Sequence, residues 1–497
     1  MLLSSVRRDW SANPMREMLA GAVATFALIP EVIAFSFVAG VDPEVGLFAS
    51  FVIGIVIAFT GGRPAMISAA AGSVALVAAP LVHAHGLPYL FAAGLVAGLI
   101  QIAFGLLRLG VLMRFVSKSV RTGFVNALAI LIFAAQMPHV VGAGWMEYAV
   151  LIAGLVIIYL TPRITTAIPS PLICILILTV ASMALGLPVL TVADLGKLPD
   201  SLPVFGWPAV PLTVETFRII AGPAFAIAMV GLLESMMTAS VVDDLTDTPS
   251  SKNRECTGLG LANAAASLFG GIAGCGMIGQ TVSNVKYGGR GRLSTLFAGA
   301  FLLILMVLLK PWVSEVPVAA LVAIMVMVSI DTFDWSSLRS VVVHPRMSSA
   351  VMVATVVVTV FTANLALGVT VGVLLSGVFF TFKVAGLLRV DVAPDQAAGR
   401  LTYRVSGQVF FASADVFVEA FDVQDAIGRS VLIDVSEAHF WDITAVAALD
   451  KVVQRFGAHG IAVEIMGLNQ ASATLIGSLD SKVVLKEVRR RESGRIS

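Results

Sequence analysis

Long apolar runs follow one another from residue 18 to about residue 388, broken by short polar or glycine-rich stretches. A helix needs about 20 apolar residues to cross the hydrocarbon core of a bilayer. By that measure the pattern predicts about 14 membrane spans, several of them short. They start near residues 18, 45, 70, 88, 123, 147, 169, 217, 257, 275, 293, 316, 348 and 366. Beyond residue 390 charges return and the period changes. RLTYRVSGQVFFAS, SVLIDVS and IAVEIMG read as strands, DVFVEAFDVQDAI and AVAALDKVVQRFGAHG as helices. The expected division is a polar N-terminus (1–17), a membrane domain (18–388), a linker (389–400), a small α/β domain (401–488) and a basic tail (489–497). The tail is expected to be solvated and to touch acidic lipid.

Composition agrees with many spans. The chain of 497 residues is 58% hydrophobic and 13% charged, with a mean hydropathy of +0.94, whereas soluble domains carry about 25% charged residues. The net charge of +1 gives no general attraction to nucleic acid. The start, MLLSSVRRDWSANPMRE, is short, polar and basic, unlike a cleavable signal. Cys174, Cys256 and Cys275 are far apart and read as packing or incidental thiols, with neither a metal site nor a disulfide framework.

Lysines and arginines orient the spans, because they concentrate in cytoplasmic segments. With the N-terminus inside, the inner segments hold about eighteen of them, Arg7, Arg8, Arg63, Arg114 and Lys252 among them, against about three outside, Lys197, Arg218 and Lys310. Both chain ends are therefore expected in the cytoplasm.

Glu31 is the only charge in the run Met18–Val41, and Pro30 precedes it. A carboxylate near the middle of a span costs roughly 2.5–3.5 kcal/mol on insertion scales, so it is read as functional. A weak repeat gives it a counterpart: ALIPEVIA around Glu31 aligns with VGLLESMM around Glu234. Gly72 and Gly276 follow at nearly equal distances, each in a short small-residue segment. Seven spans per half make the halves inverted, and interrupted short segments at matching positions mark a transporter site.

Read as half-helices, the two short spans start near Gly72-Ser73 and near Gly276, and their N-termini face each other near the midplane. Each end carries unpaired N–H groups and about half a positive charge. Such a pair binds an anion without lysine or arginine. Ser73, Gln280 and Thr281 add polar groups, and Met277 lies in the same stretch. The substrate-site candidates are Glu31, Gly72, Ser73, Glu234, Gly276, Met277, Gln280 and Thr281. A protonated Glu31 or Glu234 would stop repelling the anion, which couples proton to anion. Glu234 and Thr238, four residues apart on one helix face, could instead hold Na⁺. The coupling-ion candidates are thus Glu31, Glu234 and Thr238. Asn126, Gln136, Asn263 and Asn284 read as hydrogen-bond links between helices. Gly274–Gly279 fits the dinucleotide pattern G-x-G-x-x-G but lacks a βαβ unit and its acidic partner. No nucleophile–base pair, metal cluster or ATP-binding motif is present, so neither an enzyme nor a resident cofactor is expected.

ALIPEVIAFSFVAGVDPEVGLFASF and NRECTGLGLANAAASLFGGIAGCGMIGQTVSNVKYGGRGRLS resemble two signatures of the sulfate-permease family of anion transporters. The C-terminal part resembles the STAS domain of that family. The resemblance implies an α-helical 7+7 inverted-repeat membrane protein with core and gate subdomains, elevator-like movement and a homodimer in the plasma (inner) membrane. It implies sulfate, bicarbonate, chloride or dicarboxylates as substrates, and a possible cytosolic protein partner at the STAS domain. Three positions depart from the family pattern: Glu31 stands where Gln is common, Phe35 where Tyr is, and Gln280 where many animal members have Arg. The site loses a fixed positive charge and gains a carboxylate, which argues for proton-coupled symport of a small anion such as sulfate or fumarate. Sodium-coupled bicarbonate members carry an acid and a Thr matching Glu234 and Thr238, so Na⁺-coupled bicarbonate symport is the alternative, and an anion channel or uncoupled exchanger the alternative of another class. In soluble STAS proteins a phosphorylated Ser follows an Asp; here the pair is Asp442-Ile443. Asp434 and Asp442 are expected to structure loops near helix N-termini.

Overall fold

The computed structural model describes residue 10 and residues 13–111, 116–165, 169–199, 202–343, 346–395 and 399–479. Arg7, Arg8, Arg114, residues 480–488 of the expected small domain and the basic tail 489–497 lie outside the described residues. The chain forms two compact units, Met1–Val373 and Leu374–Ser497.

Every predicted span has a helix. The first set is α1 (Pro14–Ala39), α2 (Pro43–Thr60), strand β1 (Ser68–Ala70), α3 (Gly72–His85), α4 (Leu87–Leu106), α5 (Lys118–Ala135), α6 (Trp145–Ile164) and α7 (Ser170–Leu185). The second is α8 (Val214–Thr246), α9 (Lys252–Leu268), strand β2 (Gly274–Gly276), α10 (Ile278–Lys286), α11 (Arg292–Ser314), α12 (Val318–Thr332), α13 (Arg346–Thr362) and α14 (Leu365–Ala385). Nine of the described helical segments are long and apolar enough to cross a membrane by themselves. Local signals set the ends. Asn13, Ser117 and Thr213 accept backbone N–H groups at the starts of α1, α5 and α8. Gly40 ends α1 at φ 72°, a left-handed turn that suits glycine. Helix α1 runs on through Pro30.

The element order of the first set recurs in the second, and the packing is exchanged between them. Helix α9 lies against α4, where a Cβ on Gly98 would sit 2.6 Å from the Gly260 carbonyl oxygen. Helix α2 lies against α11, where a Cβ on Gly54 would sit 2.9 Å from the Gly299 Cα. At both crossings only glycine permits the backbones to approach so closely. Strands β1 and β2 pair antiparallel, Ser68 with Gly276, Ala69 with Cys275 and Ala70 with Gly274. The two sets therefore meet head to head.

A polar clasp fixes the segment that leads into β1. Buried Glu255 of α9 accepts the N–H groups of Gly62 (2.7 Å) and Arg63 (3.0 Å). Arg63 in turn pairs with Asp243 at 3.2 Å and donates to the Thr248 carbonyl at 2.9 Å. Buried Glu17 receives the N–H groups of Arg290, Gly291 and Ser294 at the start of α11. Asn126 and Asn284 link segments as expected, to Ser337 and Asp334 and to Ala65 and Ser294. Gln136 instead donates to Ile132, one turn back on its own helix.

The second unit carries a four-stranded sheet in the order β3 (Arg389–Asp395), β4 (Arg400–Val409), β5 (Ser430–Phe440), β6 (Val463–Met466). β3 and β4 are antiparallel; β4, β5 and β6 are parallel. Helices α15 (Ala414–Glu419), α16 (Ile443–Ala458) and α17 (Gln470–Ser478) accompany the sheet. Tyr403, Phe417, Phe421 and Phe456 fill its core. Two expectations are corrected here. Residues 389–395, read as linker, form an edge strand, because their backbone pairs with β4 and the adjoining Leu388 and Val390 pack on the core. Asp434 lies inside β5, where it accepts the Ser436 N–H at 3.1 Å, and not at a helix start. Asp442 does cap α16, accepting the Ala445 N–H at 2.9 Å and the Phe411 N–H at 2.8 Å.

Candidate functional site

The strand crossing delivers two helix starts to one place. Helix α3 begins at Gly72, directly after β1. Helix α10 begins at Ile278, two residues later than the glycine pattern suggests. Gly276 belongs to β2, where it pairs with Ser68, and its N–H donates to Ser235 Oγ at 2.9 Å while its carbonyl accepts from Thr238 Oγ1 at 2.8 Å. The first N–H groups of a helix have no intrahelical carbonyl, so Gly72–Val74 and Ile278–Gln280 present donors here. Two features shape the surroundings. A Cβ on Gly72 would meet the Phe35 ring at 2.7 Å, whereas a Cβ on Gly279 would meet nothing within 4 Å. The aromatic ring packs on Gly72 at one helix start, and the space beside Gly279 at the other is open.

Each half supplies a carboxyl to the half-helix of the other. Glu234 on α8 accepts hydrogen bonds at Oε2 from Ser73 of α3 and, at 3.0 Å, from the Cys275 thiol of β2. Glu31 on α1 lies close to the side chain of Gln280 on α10 and interacts with it. Both acids are partly exposed, while Ser73, Thr238, Gln280 and Thr281 are buried.

The remaining candidates have backbone duties. Thr281 Oγ1 accepts the Ile67 N–H at 2.9 Å, and the Met277 N–H donates to the Ile67 carbonyl at 2.8 Å. Thr238 donates to the carbonyls of Glu234 (2.9 Å) and Gly276 (2.8 Å), which puts three oxygens close together. A face of α8 including Leu233, Met236, Met237 and Ser240 lines a cavity of about 600 Å³, with Lys252 and Arg121 in its wall.

Several residues at the crossing escaped the reading of the sequence. Cys275 is not incidental: its thiol touches Glu234. Ser235 holds Gly276, and buried Asn263, a link between helices as expected, also grips Gly274 at both its N–H (2.8 Å) and its carbonyl (3.1 Å). Gln101 of α4 completes that grip through Asn263 at 2.9 Å. On the other side Ser50 of α2 accepts the Ala70 N–H at 3.2 Å. The available signal was positional: α2 and α9 are equivalent spans, and each carries a buried polar residue that reaches the strand of its own half.

Two inverted sets of helices, joined at a crossing of short strands with half-helix starts and carboxyls around it, define a membrane transporter built from inverted repeats. The sulfate permease family profile matches residues 15–147 and 143–355, and a STAS domain profile matches residues 391–483. YbaR of Bacillus subtilis, which carries a sulfate-transporter name, is 52% identical over 472 residues, covering 95% of this chain and 98% of that protein. The bicarbonate transporter BicA of Picosynechococcus is 27% identical over 499 residues, covering 89% of this chain and 86% of that protein. The solved transmembrane domain of a cyanobacterial BicA aligns with a TM-score of 0.63 at 26% identity, covering 72% of this chain and 97% of that one. The murine anion transporter Slc26a9, solved facing inward, shares the fold with a TM-score of 0.83 at 17% identity, over 93% of this chain and 87% of that one. The chain belongs to the sulfate permease family: it is a multi-pass membrane protein of an anion-transporter family with a C-terminal STAS domain, and not an enzyme.

Proposed function

We propose that the protein is a secondary active symporter that imports a small anion, sulfate or a dicarboxylate such as fumarate, together with protons. The observation that carries this reading is the exchanged pairing at the crossing, Glu234 with Ser73 and Glu31 with Gln280. A helix start attracts a bound anion and a neighbouring carboxylate alike. The two negative charges exclude each other, so protonating the carboxyl favours the anion. Linkage makes the effect reciprocal: a proton that tightens anion binding is itself held more tightly once the anion is bound. In this reading the helix starts at Gly72, Ser73 and Gln280 hold the anion, Gly276, Met277 and Thr281 frame it through their backbone bonds, and Glu31 and Glu234 accept the protons. Alternating access proceeds by an elevator-like shift in a homodimer. The carrier lies in the plasma (inner) membrane with both chain ends in the cytoplasm, where the STAS domain can meet a protein partner.

A second reading has one observation in its favour. The Thr238 hydroxyl lies within hydrogen-bonding distance of both the Gly276 carbonyl and the Glu234 backbone carbonyl, a set of hard oxygens suited to Na⁺. It would make the protein a Na⁺-coupled bicarbonate symporter. Uptake of labelled sulfate, fumarate and bicarbonate into proteoliposomes, under separate pH and Na⁺ gradients, decides between them. Proton symport predicts accumulation driven by an inward proton gradient without Na⁺. Accumulation that needs Na⁺ and ignores pH supports the second reading, and equilibration without concentration supports a channel or uncoupled exchanger.

A further inference from the structure

We infer that the Ser73 hydroxyl is a two-position relay that conveys the protonation of Glu234 to the anion at the α3 start. The inference rests on Glu234 being the group that takes the proton.

A serine hydroxyl has one hydrogen and two lone pairs. In the structure that hydrogen is committed to Glu234 Oε2. Ser73 is also the second residue of α3, beside the unpaired N–H groups that would hold an anion. Its single hydrogen cannot make a full-strength bond to the carboxylate and to the anion at the same time. When a proton from solution binds the carboxylate, the new O–H becomes a donor. Ser73 Oγ is then the nearby oxygen that can accept it, because the other contact, Cys275 Sγ, is a weak acceptor. Accepting that bond turns the serine hydrogen away from the carboxyl and frees it for the anion. One proton enters and forms one O–H bond on the carboxyl, every other change is in hydrogen bonding, and the site gains one donor while it loses one negative neighbour.

The surroundings leave Glu234 to these two partners. Cys275 of β2 is the titratable group in contact with it. Elsewhere on the elements packed against α8, His83 and His85 end α3, Tyr89 begins α4, Lys252, Arg254 and Glu255 begin α9, and Lys286 ends α10. The interactions found for the Glu234 carboxyl are those with Ser73 and Cys275.

The first half has no such relay. Glu31 meets Gln280, whose amide offers separate donor and acceptor atoms and need not exchange roles. The relay therefore belongs to Glu234 alone.

The test compares full-length wild type, Ser73→Ala and Ser73→Thr in proteoliposomes, with sulfate as the probe and fumarate should sulfate be refused. The apparent anion affinity is read at about pH 5.5 and about pH 8. Wild type should bind about tenfold more tightly at the lower pH, the scale of one hydrogen bond to a charged partner. Ser73→Ala should compress that ratio to about twofold or less by weakening binding at low pH, and Ser73→Thr should restore most of it. Should Ser73→Ala not yield folded protein, Ser73→Cys, a weaker donor, should give an intermediate ratio. A wild-type ratio retained in Ser73→Ala, or in Ser73→Cys in its place, overturns the relay while leaving proton coupling intact. A loss in Ser73→Thr equal to that in Ser73→Ala also overturns it. A wild-type affinity indifferent to pH refutes the proton-coupled reading beneath it.

Discussion

The two halves of the membrane unit present the same elements at the crossing but hold their strands differently. In the second half the acidic helix clasps its own strand: Ser235 and Thr238, one and four residues after Glu234, fix the N–H and carbonyl of Gly276. The matching positions after Glu31 are Val32 and Phe35, which offer no such bonds. Strand β1 and the residues before it are held from elsewhere, by Ser50 of α2, Thr281 of α10 and Thr295 of α11, which donates to the Met66 carbonyl at 3.1 Å. Phe35 instead lies over Gly72. Glu234 is thus bolted to the crossing through its own helix, while Glu31 stands in an apolar frame and reaches the site through Gln280. A duplicated scaffold has kept two acids and given them unequal mounts, which favours unequal roles.

The largest expected effect separates those roles. Glu234→Gln should reduce pH-driven anion accumulation by more than about tenfold, and Glu31→Gln by a smaller, severalfold amount. Equal losses, measured as steady-state uptake under one pH gradient, would break the comparison.

The next effect concerns the grips on the strands. Asn263→Ala strands the buried Gly274 N–H and the Gln101 carbonyl oxygen, which should cost about 2–3 kcal/mol. Ser50→Ala removes one longer bond to Ala70 and should cost about 1 kcal/mol. Thermal unfolding of detergent-purified protein checks the order, and a larger loss from Ser50→Ala would reverse the assignment of the firmer grip to the second half.

Two smaller effects sharpen the contrast. Thr238→Val keeps the shape of the side chain but leaves the Gly276 carbonyl without its hydroxyl, for about 1 kcal/mol of stability. The same variant should leave Na⁺ without influence on uptake; a Na⁺ requirement that weakens in Thr238→Val would favour the sodium reading. Phe35→Leu removes the ring over Gly72 without touching a hydrogen bond. It should allow Gly72→Ala, otherwise opposed by the 2.7 Å approach of the Phe35 ring, to recover part of its transport.

Much of this architecture is legible in the sequence because a bilayer imposes it. A run of about 20 apolar residues has few other uses, and the glutamates interrupt such runs. The half-helices were legible only through the repeat, since α10 has nine residues and could not be found by length. The pairing of acids with half-helices was not legible. Ser73 and Glu234 are 161 residues apart, and their contact exists only because the halves are inverted and crossed. Cys275 read as incidental for the same reason: its role is set by a helix 41 residues away. Ser235 and Asn263 resemble ordinary polar residues of spans until the strand they hold is in place. In the small domain, strand β3 was hidden because its partner, β4, defines it and its own sequence does not.

The central claim, that protons travel with the anion by way of Glu234, is tested most directly by following the proton itself. Proteoliposomes holding a pH-sensitive dye, with equal pH on both sides and no Na⁺, are given an inward sulfate or fumarate gradient. Wild-type protein should acidify the lumen as the anion enters, and Glu234→Gln should not. Anion entry through the wild-type protein with an unchanged lumenal pH would contradict the account.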